Sequence, residues 1–226
     1  MLEYIIQNKE IIKLIYGLAI VTICIAIVLK TDRLFRLSYH QGIRYFRNAL
    51  FFYGISFIFR YFLLQSELFN STFLSYDLSK FLFEFFIIMA GFFLLYSLLW
   101  KNFESEDPYP SSLFNKHLMI FYAMTIVILL LDYIWAGYYF MFISQIALFL
   151  AASIVSFNNY SNKGSERKFT KFYFIAMLLS LSAWTLNAVS ALYLNWNIFA
   201  IIAVYMFNII LFIILLYGVF NVTRKQ

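Results

Sequence analysis

From Phe172 to Thr223 the chain contains no Asp, Glu, Lys or Arg. A bilayer core takes about 20 apolar residues per helix, so this stretch holds two membrane spans and a tight turn at Asn195-Trp196-Asn197. The whole chain follows the same rule, being 64% hydrophobic and only 12% charged. A soluble domain carries about 25% charged residues. A chain this poor in polar groups cannot cover its apolar surface in water, and it needs lipid.

Helices are the economical form for such runs, because backbone polar groups in lipid must be satisfied within the segment. The sequence predicts a single all-α integral membrane domain over 1–226 with seven transmembrane helices. Six of them are Ile11–Lys30, Tyr45–Leu64, Lys80–Trp100, Leu113–Tyr133, Tyr138–Phe157 and Lys171–Leu192, and the seventh is Ile198–Phe220. Ala136-Gly137 supplies the break between the fourth and fifth. The first segment lacks a small-residue cleavage site and reads as a retained span rather than a signal peptide. The longest link, Lys101 to Ser112, is too short for a soluble domain.

Lys and Arg near the spans set orientation. Lys30, Arg33, Arg36, Arg44, Arg47, Lys101, Lys116, Lys163, Arg167, Lys168, Lys171, Arg224 and Lys225 fall on one side, thirteen of the seventeen bases. Lys9, Lys13, Arg60 and Lys80 fall on the other. This predicts an outside amino terminus and a cytoplasmic carboxyl terminus, in a multi-pass protein of the cell membrane. Trp100, Tyr133, Trp135, Tyr138, Tyr193 and Trp196 sit at segment ends, where an aromatic belt belongs. The net charge of +6 is distributed for anionic headgroups, so nucleic acid is not an expected partner.

Polar groups inside hydrocarbon are costly and point to function. Arg60 and Glu84 lie roughly 6 Å inside the same boundary at 1.5 Å per residue, on consecutive antiparallel segments. They are expected to pair, with Lys80 as a competing i,i−4 partner for Glu84. Asp132 closes the fourth segment on that side. Gln145 lies in the fifth segment, Trp184 and Asn187 share a face of the sixth, and Tyr205 and Asn208 lie in the seventh. These eight residues are the candidate ligand-binding set, in a polar cavity of the outer half. The opposing reading is that they serve packing through interhelical hydrogen bonds worth about 0.6–2 kcal/mol each.

Enzyme and cofactor motifs are missing. Gly-x-Ser-x-Gly, His-Glu-x-x-His and phosphate-cradling glycine loops do not occur, and His40 and His117 are too few for a zinc hydrolase. No lysine in the seventh segment offers a retinal Schiff base. No metal or cofactor is expected, and Cys24, the single cysteine, lies within an apolar run. The stretch from Arg33 to Arg47 interleaves bases and aromatics, as an interfacial helix on anionic lipid does. Arg33, Arg36, Arg44 and Arg47 are the candidate lipid-surface residues, with docking of a protein partner as the alternative. Two short echoes, Arg44-Tyr45-Phe46-Arg47 with Lys168-Phe169-Thr170-Lys171 and Leu94-Leu95-Tyr96 with Leu215-Leu216-Tyr217, hint at a three-plus-one-plus-three duplication.

In its seven spans, outside amino terminus and Arg33-to-Arg47 lead into the second span, the chain resembles the membrane sensor regions that precede histidine kinases. That resemblance implies a non-enzymatic, receptor-like bundle, and with the chain stopping at Gln226 it implies output through a separate cytoplasmic or membrane partner. The topology is also similar to that of small sugar carriers built as three-plus-one-plus-three helices, which makes a small-solute transporter the alternative. Carriers favour helices broken by Pro or Gly near the midplane, whereas Pro108 and Pro110 lie in a link. A third expectation is an accessory membrane subunit.

Overall fold

The computed structural model describes residues 9–38, 41–63, 73–103, 113, 116–135, 137–162, 168–194 and 197–223. Among these the chain forms seven helices and no strand. They are α1 (Lys9–Ser38), α2 (Gln41–Ile58), α3 (Phe73–Phe103), α4 (Lys116–Ile134), α5 (Tyr139–Asn162), α6 (Lys168–Leu192) and α7 (Ile198–Thr223). A single π-helical turn, Phe59–Leu63, prolongs α2. Each helix falls on one apolar run of the sequence. The largest differences are at α3, which starts at Phe73 instead of Lys80, and at α1, which continues to Ser38 instead of stopping near Lys30. Its last turns are held as helix by Arg36, which bonds Asp32 at 3.0 Å across one turn.

Six of the seven helices are long and apolar enough to cross a bilayer core, α2 being the exception. This is compatible with a multi-pass membrane protein. The exception has a physical reason. Arg44, Arg47 and Asn48 lower the apolarity of α2, yet its residues from Gly42 to Phe57 are buried on several sides. A helix enclosed by other helices can carry polar groups that a lipid-facing helix cannot.

The helices form a ring in the order α1–α2–α3–α5–α6–α7, closed by α7 against α1. α4 stands outside it, against α3 and α5. Its buried residues, Leu118, Thr125, Leu129 and Asp132, make one narrow stripe, and most of its other apolar side chains are exposed. The ring divides into α1–α2–α3 and α5–α6–α7. Contacts within the first triplet repeat in the second, and the α3–α5 seam repeats as α7–α1. With α4 between them, the two triplets follow one another along the chain in the same contact order.

Near Arg47 the ring is filled with aromatics. Tyr45 meets Tyr96 edge-on at 4.6 Å between centroids, and Phe46 tilts against Tyr173 at 5.7 Å. The hydroxyls of Tyr173 and Ser97 bond at 2.8 Å. The polar cavity described next lies toward the Arg60 end.

Candidate ligand cavity and its neighbouring polar seam

The cavity runs along the axis of the ring and has a volume of about 40 Å³. Since one water needs roughly 10–15 Å³, it has room for a few waters or a ligand of a few heavy atoms. All six ring helices contribute to its wall, and α4 contributes nothing. From Leu50 to Arg60 the wall extends about 15 Å at the helical rise.

The π turn shapes the Arg60 end of the cavity. π turns occur within helices where side chains must be re-aimed, and here the consecutive residues Arg60 and Tyr61 both line the cavity. The Arg60 guanidinium lies over the Phe83 ring at 5.1 Å and the Tyr61 ring at 5.5 Å. Tyr16 stacks on Tyr205 at 4.0 Å and meets Tyr61 edge-on at 5.3 Å. Asn208 Nδ2 donates to the Tyr16 hydroxyl at 3.0 Å, tying α7 to α1. Trp184 Nε1 donates to the Tyr53 hydroxyl at 3.1 Å, tying α6 to α2. Asn187 Nδ2 donates to Ala183 O at 2.9 Å in its own helix. Below these groups the wall is apolar, with Leu50, Leu94, Phe149 and Leu215, apart from Ser180, whose hydroxyl donates to Ala176 O at 2.8 Å. Among the described residues Arg60 is the one charged side chain in the lining.

The eight sequence candidates therefore divide. Arg60, Trp184, Asn187 and Asn208 line the cavity, and Tyr205 supports it by stacking on Tyr16. Glu84, Asp132 and Gln145 lie instead along the seam of α3, α4 and α5. Asp132 is fully buried, and its two oxygens accept the Phe140 and Met141 N–H groups at 2.9 and 2.7 Å. It thereby satisfies orphan donors at the start of α5, where a carboxylate is favoured. Gln145 Nε2 donates to Ile87 O at 3.2 Å. Glu84 has its ion pair with Lys80 at 3.8 Å, the competing partner, and the expected pairing with Arg60 gives way to it. Phe83 and Glu84 are neighbours in sequence but diverge around the helix, so Phe83 faces the cavity and Glu84 faces away.

The lipid-surface candidates divide too. Arg33 is exposed, and the Arg36 side chain is 79% exposed beside Asp32. Arg47 turns inward to form an ion pair with Asp32, and both Arg44 and Arg47 lie over the Phe35 ring at 5.7 Å. This corner clasps α1 to α2 through Arg44 and Arg47, both of which stay partly exposed. The stretch from Arg33 to Arg47 falls on the end of α1 and the start of α2. Tyr39 and His40 lie outside the described residues, as does Trp196 of the aromatic belt. Trp135 and Tyr193 are exposed as a belt requires.

Sequence reasoning missed Tyr16, Tyr53 and Tyr61, whose hydroxyls or rings shape the cavity. In a chain with 18 tyrosines no local signal separates these from the rest. No protein-family model, curated protein or solved structure matches the chain.

Proposed function

We propose that the chain is a seven-span receptor-like protein of the cell membrane that binds a small polar solute, neutral or anionic, in the axial cavity. The observation that supports this most is the composition of the cavity wall: one guanidinium, two amides and tyrosine hydroxyls at its upper part, above an apolar floor. Such a wall offers donors to an acceptor-rich ligand, and among the described residues it has no carboxylate to hold a cation. In this reading α2 is the seventh crossing, the amino terminus is outside, and the bases at the Arg47 end meet anionic cytoplasmic headgroups. Ligand occupancy would alter the contact between the two triplets, and a separate protein partner would read that change.

A second reading, a small-solute carrier, is favoured by the division of the ring into two like triplets around an axial site, since parallel repeats of this kind can rock against each other. Thermal shifts of the purified protein against a panel of small neutral and anionic solutes test for binding. A stabilising solute is expected, and Asn208→Leu or Arg60→Gln should weaken it at least tenfold. A panel with no stabilising solute, or a hit unchanged by both replacements, contradicts the cavity as the site. Uptake of that solute into proteoliposomes then assigns the carrier reading, and binding without uptake the receptor.

Orientation is tested in a Cys24→Ala background with an impermeant thiol reagent. Tyr193→Cys should react in intact cells, and Ser161→Cys only after permeabilisation. The reversed pattern would invert the orientation.

A further inference from the structure

Beside the cavity, and facing away from it, lies a carboxyl group that the cavity does not use. Glu84 is 3% exposed. Its one ion-pair partner among the described residues is Lys80 Nζ at 3.8 Å, beyond hydrogen-bond length. That ammonium is divided among three neighbours, since it also reaches Gly137 O at 3.5 Å and stands 4.4 Å above the Tyr138 ring. Glu84 Oε1 accepts no hydrogen bond. A buried carboxylate oxygen left this way is expensive, and more so in a membrane.

Of the groups around Glu84, Lys80 from its own helix favours its negative charge, at ion-pair distance and without a hydrogen bond. From α4, the Asp132 carboxyl acts on it electrostatically and disfavours a second negative charge nearby. From the α4–α5 link, Tyr138 offers a neutral phenol, itself within the field of Arg60 and Tyr76. From α5, Gln145 is uncharged, and its Oε1 is a second buried acceptor without a hydrogen bond. The α3–α5 seam thus holds two orphan acceptors and is short of a donor. With both carboxyls ionised the site carries two negative charges against one positive charge.

We propose that Glu84 is a proton-binding site, reached from the Lys80 end of the bundle and distinct from the axial cavity. The Lys80 side chain is 22% exposed and marks the route by which water reaches it. Hydronium gives up a proton to the Glu84 carboxylate, leaving water and a carboxylic acid. The acid removes the surplus negative charge and turns an orphan acceptor into a donor. The site stands whether or not the cavity binds a solute. In the carrier reading, it is the natural place for a coupling proton.

Infrared difference spectra of the purified protein in lipid, recorded across a pH titration, read the carboxylic-acid C=O band directly. The wild type should hold this band at neutral pH and lose it as pH rises. Glu84→Gln, isosteric with the protonated acid, should keep the wild-type melting temperature and lack the band. Lys80→Met removes the neighbouring cation, and should move the disappearance of the band to higher pH. A wild type without the band, or a Glu84→Gln protein retaining it undiminished, overturns the site. Should Glu84→Gln fail to fold, the isosteric argument fails with it, and a Lys80→Met titration matching the wild type would overturn the site independently.

Discussion

Replacing Asp132 with alanine is expected to destabilise the detergent-solubilised protein by about 3–6 kcal/mol, counting two hydrogen bonds to a charged group at about 1.5–3 kcal/mol each. The carboxylate is fully buried and bonded to the N–H groups of Phe140 and Met141. These donors open α5, and Asp132 is the side chain that accepts from both. The loss combines an N-terminal cap with two stranded backbone donors. Thr125→Val is the fitting comparison on the same stripe. Its hydroxyl already bonds Phe121 O at 2.8 Å within α4 and reaches Met89 Sδ at 3.2 Å, so its loss should cost about 1 kcal/mol or less. Chemical unfolding in detergent measures both. Equal effects would mean that Asp132 does not anchor α4 to α5.

The second large effect is expected at Gly17, where α1 meets the π turn. A Cβ built there would stand 2.7 Å from Tyr61 Cβ and 2.9 Å from Tyr61 Cγ. These atoms cannot swing aside as the end of a flexible chain does, so α1 and the π turn must separate. Overpacking of this kind costs about 1–3 kcal/mol, and Gly17→Leu should reach the upper end of that range or exceed it. Because Tyr61 lines the cavity, the same change should weaken solute binding. Adding Tyr61→Gly should recover part of the stability, a coupling that a double-mutant cycle reads as non-additivity. Gly218 provides the contrast. A Cβ there meets Phe172 Cβ at 3.6 Å, an ordinary contact, and Gly218→Ala should be nearly neutral.

The helices were legible in the sequence because each needs an apolar run of bilayer length, and each polar link interrupts one. The position of α4 was not. An apolar helix reads alike whether it faces lipid or protein, and the stripe that binds α4 to the ring includes the polar Thr125 and Asp132. For α2 the opposite holds, since its bases suggested an interface while its body is enclosed. In the candidate site, depth could be read and azimuth could not. Arg60 and Glu84 share a depth, but a turn of about 100° per residue separates Phe83, in the cavity wall, from Glu84 in the seam. The π turn that brings Arg60 and Tyr61 to one side carries no sequence signature at all.

The central claim is that two three-helix groups close around the cavity, with α4 outside. The most direct measurement is thiol cross-linking in a Cys24→Ala chain carrying Tyr16→Cys and Asn208→Cys, whose native side chains bond α1 to α7. A protease site in the link between α3 and α4 allows the chain to be cut after treatment with a short bismaleimide. The account predicts that the two pieces stay joined on a denaturing gel. A control pairing Tyr16→Cys with Val127→Cys, on the exposed face of α4, should fall apart. Pieces that separate in the first case, or join equally in both, would contradict the ring.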